Sequence, residues 1–322
     1  MVVFVTLPVG AGHVGYFLNR YGRSHSRHLT ETTYFDLARK GRALAAAYVF
    51  CDVQRMNWAQ RALAVGLWRR LSAIGDSVRL YNDPRHQLGR YEFLRAAFAE
   101  GWNRFNVYQV DEIPESVRWP VFLRIESDHS GPKSDLIDTS ERLWKSVAEL
   151  VLAGARLKDL LVVEFLDTRS PDGCYRKYGA FRIGRRVFGQ HLFLCTEWTA
   201  KASNRLRSES ALAEGKNYFL TNPHAELLLP FFELAQIEYG RIDYALVDGK
   251  VQAWEINDNP QFVRAKPLRM GTEGKEKIYL ECLDELSQGL DPRTQFEFDA
   301  LDGWEDAPWL EGVAPAGSEV AR

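Results

Sequence analysis

Residues 241–260 read Arg-Ile-Asp-Tyr-Ala-Leu-Val-Asp-Gly-Lys-Val-Gln-Ala-Trp-Glu-Ile-Asn-Asp-Asn-Pro. This segment constrains the fold more than any other, because it reads as two strands joined at Asp248-Gly249. The two-residue period of a strand puts Glu255 and Asn257 on one face. The turn decides where Asp243 falls. A two-residue loop would pair 247 with 250 and turn Asp243 to the opposite face from Glu255. A three-residue loop, Val247-Asp248-Gly249, pairs 246 with 250, puts Gly249 in a bulge, and sets Asp243 opposite Ala253 and diagonal to Glu255, roughly 7–8 Å away at Cα. The bulged turn is the expectation, since two carboxylates and an amide then share a face. Such hard oxygen donors suit a divalent cation such as Mg²⁺ or Mn²⁺, with phosphate and water completing its shell. The alternative is an exposed polar face on a surface hairpin.

The chain has 322 residues, 46% of them hydrophobic, enough for two or three lobes. Its 41 basic and 43 acidic residues leave a net charge of −2, no electrostatic footprint for nucleic acid or an anionic membrane. No apolar run is long enough for a transmembrane helix. The opening Met-Val-Val-Phe-Val-Thr-Leu-Pro lacks a basic region and reads as a strand. Cys51, Cys174, Cys195 and Cys282 are widely spaced, as expected of reduced thiols in a cytoplasmic protein. The histidines are too scattered for a structural zinc site.

Residues 1–40 carry no clear periodicity. Strands are expected at 45–52, 78–81, 121–125 and 160–165, with two or three more over 175–195 turning at Gly184. Helices are expected at 57–74, 88–101, 139–153 with Thr139 or Ser140 near its N-cap, 223–239 ended by Gly240, and 273–288 capped by Gly289. The order gives an N-terminal α/β lobe over 1–87, a small subdomain over 88–162, a larger one over 163–291, and a loosely attached or disordered tail over 292–322.

From about residue 78 to 262 the sequence resembles the ATP-grasp superfamily of ATP-dependent carboxylate–amine ligases, of the glutathione synthetase type. The resemblance implies an α/β (α+β) ATP-grasp fold behind a Rossmann-like N-terminal lobe. It is carried first by Ile242-Asp243-Tyr244 and Glu255-Ile256-Asn257-Asp258-Asn259-Pro260. It implies that Asp243, Glu255 and Asn257 hold Mg²⁺ (or Mn²⁺) with ATP, and that Asn259 sits beside the phosphates or the acceptor. Leu161-Val-Val-Glu-Phe-Leu-Asp167 is similar to the family's hinge strand, implying Glu164, Phe165 and Leu166 for adenine and Asp167 for ribose. Pro120-Val-Phe-Leu-Arg124 and Gly89-Arg90 match the segments that deliver two phosphate-binding lysines. Both are arginines here, which keep the charge and grip phosphate bidentately. Ser127-Asp-His-Ser-Gly-Pro132 resembles the small-residue loop that closes over the phosphates, with Ser130 and Gly131 cradling an anion. Tyr175-Arg-Lys-Tyr178 resembles the basic strand facing the γ-phosphate. Arg176 and Lys177 both qualify, and Lys177 is preferred. The implied catalytic set is Arg124, Lys177 and Asn259.

The resemblance implies a ligase that makes an acyl phosphate on an unknown carboxylate and transfers the acyl group to an amine (or thiol). Two alternatives stand beside it: a kinase acting on a hydroxyl, and a non-catalytic nucleotide-binding module. A homodimer is compatible with the chain. Gly10-Ala-Gly12-His-Val-Gly15 matches G-x-G-x-x-G, but a dinucleotide site needs an acid about 20 residues on, at the end of the next strand. The next legible strand ends at Asp52, too far away, so a flexible Gly-rich loop is expected. His25 and His28 lie in a basic stretch that reads as solvated. Trp198 and Asn204 fall in a region expected to face the acceptor.

Overall fold

A computed structural model describes residues 1–128, 130–201, 203–262 and 274–298. The chain opens with β1 (Val2–Thr6), α1 (His13–Tyr21), β2 (Leu29–Thr33), α2 (Tyr34–Lys40), β3 (Arg42–Leu44), β4 (Ala47–Phe50), α3 (Trp58–Ser72) and β5 (Arg79–Tyr81). Four of these strands form a parallel sheet in the order β2-β1-β4-β5. Every residue of β1 and β4 is buried, as parallel strands covered on both faces must be, which explains sequences that are apolar but for Thr6. Val3, Val5, Tyr48 and Phe50 pack with Leu63 and Leu67 of α3, and Val2, Phe4 and Val49 pack with Phe17 of α1. The strand–helix–strand unit expected over 45–81 is present as β4, α3 and β5, and α3 opens on an Asn57–Gln60 capping box.

Next come α4 (Arg90–Ala99), β6 (Val107–Gln109), β7 (Val121–Ile125), α5 (Ser140–Leu152) and β8 (Leu160–Glu164). Their strands form an antiparallel sheet in the order β6-β8-β7. Thr139 caps α5 by accepting the Arg142 N–H. The following elements are β9 (Tyr175–Ile183), β10 (Arg186–Cys195), α6 (Glu209–Thr221), α7 (Ala225–Leu234), β11 (Tyr239–Val247), β12 (Lys250–Asn257), α8 (Lys275–Leu286) and β13 (Gln295–Glu297). Strands 9 to 12 make an antiparallel sheet in the order β10-β9-β11-β12. On one face Tyr178, Ala180, Ile242 and Tyr244 pack with Tyr218, Leu228 and Phe232 of α6 and α7, in a core that extends to Phe93, Phe122 and Val163. The boundary drawn at residue 162 falls inside β8, and this core spans it.

Several expectations are corrected. The strand after the Gly-rich loop is β2. Its sequence, Leu-Thr-Glu-Thr-Thr, buries only Leu29, so hydropathy conceals it. The helix expected over 223–239 ends at Leu234, and Gly240 lies inside β11, because the chain is already extended at Tyr239. The start of the tail is ordered: β13 pairs with β3 through Phe296↔Ala43. The rest of the tail, 299–322, lies outside the described residues, as does residue 273 of the last predicted helix. No described helix is long and apolar enough to cross a membrane.

Candidate functional site

The hairpin reaches the expected result by a different route. Its turn is the two-residue loop Asp248-Gly249, with φ of 51° and 73° and with Val247 paired to Lys250. Left-handed values at both positions give the turn whose twist matches that of the strands. The bulge lies further down, where Trp254 is the extra residue: Tyr244 pairs with Ala253, and Asp243 pairs with Glu255. Trp254 stacks on Phe105 with ring centroids 4.6 Å apart. One inserted residue returns the acids to a common face. They face each other directly rather than diagonally, and both are buried.

Register extends this pair across the whole sheet. His191 pairs with Gly179, Gly179 with Asp243, and Asp243 with Glu255, a transverse row over all four strands. Four cations crowd the two acids. Lys177 Nζ lies 2.8 Å from Asp243 Oδ2, and Arg241 Nε lies 3.0 Å from Oδ1. Arg124 Nη2 lies 2.9 Å from Glu255 Oε2, which Arg90 also contacts. Burial alone would raise the Asp243 carboxyl, but Arg241 and Lys177 outweigh it and hold the group far below the usual carboxylate range. Arg90 is pulled down to about 10, by burial first and then by Arg124. Arg176 turns elsewhere, to Asp172 and Glu214, so the geometry brings Lys177 and not Arg176 to the acids.

Arg90 sits at the start of α4, buried, and its Nη1 donates to the carbonyls of Ile125, Glu126 and Asp128. It therefore pins the segment leading into the small-residue loop. Arg124 is 8% exposed, and its Nε has no partner among the described residues, which leaves a donor for an anion. Ser130 Oγ donates to Asp128 and receives Lys133. Gly131 takes a φ of 103°, and a Cβ there would come 3.2 Å from Lys201 Cε. His129 lies outside the described residues. In the segment 161–167, the Glu164 side chain is turned to Arg118, Tyr108 and the Asn106 N–H. Burial would raise this carboxyl, yet the Arg118 hydrogen bonds bring it below its ordinary value. Phe165 and Leu166 are partly buried, Phe165 edge-on to Trp198, and Asp167 is exposed. Asn204 is folded into its own loop, bonded to Glu197 and Lys201.

Asn257 Oδ1 accepts the Asn259 N–H. Asn259 reaches the N-terminal lobe: its Nδ2 donates to the Gly10 carbonyl at 3.1 Å and to Asp52 Oδ2 at 3.0 Å, and its Oδ1 meets His13 Nδ1 at 3.0 Å. Glu31, on the missed strand β2, accepts the Gly12 and Val14 N–H groups at the start of α1. The protein's own carboxylate thus takes the helix N-terminus that a dinucleotide phosphate would need. Asp52 is raised to about 6, by burial first and then by Asp258. The native state therefore holds a proton that the unfolded chain has lost. Stability should fall as pH climbs from the usual carboxylate value to about 6 and level off above it. Melting temperatures of Asp52→Asn should lack this component, and identical pH profiles in the two proteins would refute it.

The sequence reading missed Arg241, Glu31, Asp52 and His191 as members of this neighbourhood. The Arg-x-Asp spacing alone would have found Arg241, which shares a strand face with Asp243. The donor set fits a magnesium–nucleotide complex. Two opposed carboxylates and an amide are hard ligands, while four cations against two acids leave an excess that polyphosphate oxygens would neutralise. Among the described residues no three His, Cys, Asp or Glu side chains converge to hold a metal unaided.

No protein-family model matches the sequence, and no curated protein matches it. Solved structures do. A Bacillus anthracis D-alanine–D-alanine ligase complexed with ATP is 11% identical with a TM-score of 0.52, covering 89% of this chain and 97% of that one. The D-alanine–D-alanine ligase of Coxiella burnetii is 14% identical with a TM-score of 0.52, covering 89% and 93%. At such identities the likeness establishes the fold, which is ATP-grasp, in accord with the resemblance read from the sequence.

Proposed function

We propose that this ATP-grasp chain is an ATP-dependent ligase that activates a carboxylate as an acyl phosphate and joins it to an amine. The observation that carries the proposal is the buried Asp243–Glu255 pair held between Lys177, Arg241, Arg90 and Arg124. Asp243, Glu255 and Asn257 would hold Mg²⁺, which supplies charge neutralisation to the phosphates when bound. Lys177 and Arg124, which contact the two acids, would grip a γ-phosphate beside those ligands, Lys177 as a point charge and Arg124 as a planar fork. A substrate carboxylate oxygen attacks the γ-phosphorus and ADP leaves. The amine then attacks the acyl carbon, phosphate departs with the oxygen, and the amine sheds a proton. Arg90, fixed to three carbonyls, sets the approach of loop 127–132, which would keep water from the acyl phosphate. Phe165 and Leu166, with the Glu164 backbone, would receive adenine, and Asp167 the ribose. Ser130 and Gly131 would cover the phosphates. Asn259 would mark the boundary between phosphates and acceptor.

Hydroxylamine trapping tests this reading. Incubation with Mg–ATP, a panel of carboxylic acids and hydroxylamine should release ADP and yield a hydroxamate from one acid class. A phosphorylated alcohol instead would identify a kinase. Thermal stabilisation by Mg–ATP without ADP release under any acceptor mixture would identify a binding module.

A further inference from the structure

The His191 Nε2 atom is buried and receives no hydrogen bond from any described residue, although the ring as a whole is 17% exposed. Its tautomer is set by Gln190, the extra residue of a bulge between Gly189 and His191. Gln190 Nε2 donates to the Gln261 carbonyl at 3.2 Å, and Arg241 Nη1 lies 3.5 Å from Gln190 Oε1, so Oε1 is an acceptor. His191 Nδ1, 3.1 Å from that Oε1, must carry the proton. Nε2 itself is buried with no acceptor within hydrogen-bonding distance, so a proton there would be left unpaired. Nε2 therefore presents a bare lone pair.

That lone pair lies 4.0 Å from Asp243 Oδ1. The ring is held there by stacking on Phe193, with centroids 4.3 Å apart, and by the absence of a side chain at Gly179, where a Cβ would fall 2.2 Å from His191 Cε1. A lone pair repels phosphate oxygens and needs an electron-pair acceptor. The nearby donors Lys177 and Arg241 bond Asp243 instead. We propose that His191 Nε2 is a nitrogen ligand to the divalent cation held beside Asp243, so that the site favours first-row transition ions over Mg²⁺ more than an all-oxygen set would. The inference rests on the nucleotide-site reading, because phosphate oxygens and water must complete the shell. Imidazole suits transition ions, whereas Mg²⁺ prefers oxygen.

Mn²⁺ is a paramagnetic probe of the ligand atoms. With a non-hydrolysable ATP analogue, electron spin-echo spectra of the Mn²⁺-loaded protein should show a directly coordinated imidazole ¹⁴N. In His191→Gln that coupling should vanish and Mn²⁺ should bind about tenfold more weakly. Gly179→Ala, which displaces the ring without altering it, should also lose the coupling. Bound Mn²⁺ without ¹⁴N coupling in the unaltered protein overturns the inference and leaves the nucleotide-site reading standing. Failure of Mn²⁺ to bind with the nucleotide overturns both.

Discussion

Glu255→Ala should abolish ATP turnover and also cost about 3–5 kcal/mol of stability, because it strips the counter-charge from buried guanidiniums. Arg90 is 2% exposed and Arg124 8%, and both contact the same Glu255 oxygen. The variant therefore confounds chemistry with folding. Glu255→Gln keeps the volume and one acceptor, and should lose turnover with a smaller stability loss. Thermal melts of both variants beside an ADP-release assay separate the two effects. Glu255→Ala melting with the unaltered protein would show that the arginines find other partners. Full turnover in Glu255→Gln would remove Glu255 from the site. From the sequence alone this residue reads as a metal ligand; the two buried arginines show that it is also a structural counter-ion.

The second large effect is expected at Gly10. A methyl group there would fall 1.9 Å from Asp52 Oδ2 and 2.6 Å from Asn259 Nδ2. Neither atom can step aside freely: Asp52 Oδ2 also accepts the Leu7 N–H at 3.1 Å, and Asn259 is bonded to His13. Gly10→Ala should destabilise by about 1–3 kcal/mol as an overpacked contact. It should also raise the KM of whichever substrate lies at the seam between the lobes. Gly15, in the same motif, has nothing within 4 Å of an added Cβ and lies within α1. Gly15→Ala should be neutral or stabilising, by up to about 1 kcal/mol. Equal melting temperatures for the two variants would show that the Gly10 contact relaxes at no cost. The contrast also explains the G-x-G-x-x-G pattern: its first glycine admits Asn259 and Asp52 rather than a pyrophosphate.

Strong local signals were legible in the sequence. The apolar runs of β1, β4 and β8 and the capped helices α3 and α5 are set by short-range pattern. So is the sharing of one face by Glu255 and Asn257. Edge elements were not legible. β2 buries one residue, and β13 pairs with β3, whose residues lie more than 250 positions earlier in the chain. The hairpin shows a subtler limit. The requirement that Asp243 and Glu255 share a face was sound, and so was the need for one extra residue. Its position was not, because the bulged Trp254 stacks on Phe105, a residue far away in the chain. His191 was invisible for a similar reason: only the pairing of β10 with β9, and of β9 with β11, brings it into the row with the acids.

The packing of α8 has a consequence for the order of events during synthesis. Tyr279, Cys282 and Leu283 share a core with Val2, Phe4 and Val49, so one side of the first sheet is completed by residues made near the end of the described chain. The N-terminal lobe emerges first, carrying an apolar face that α1 covers only in part. Until α8 arrives, the uncovered part of that face is open to a chaperone or to another nascent chain.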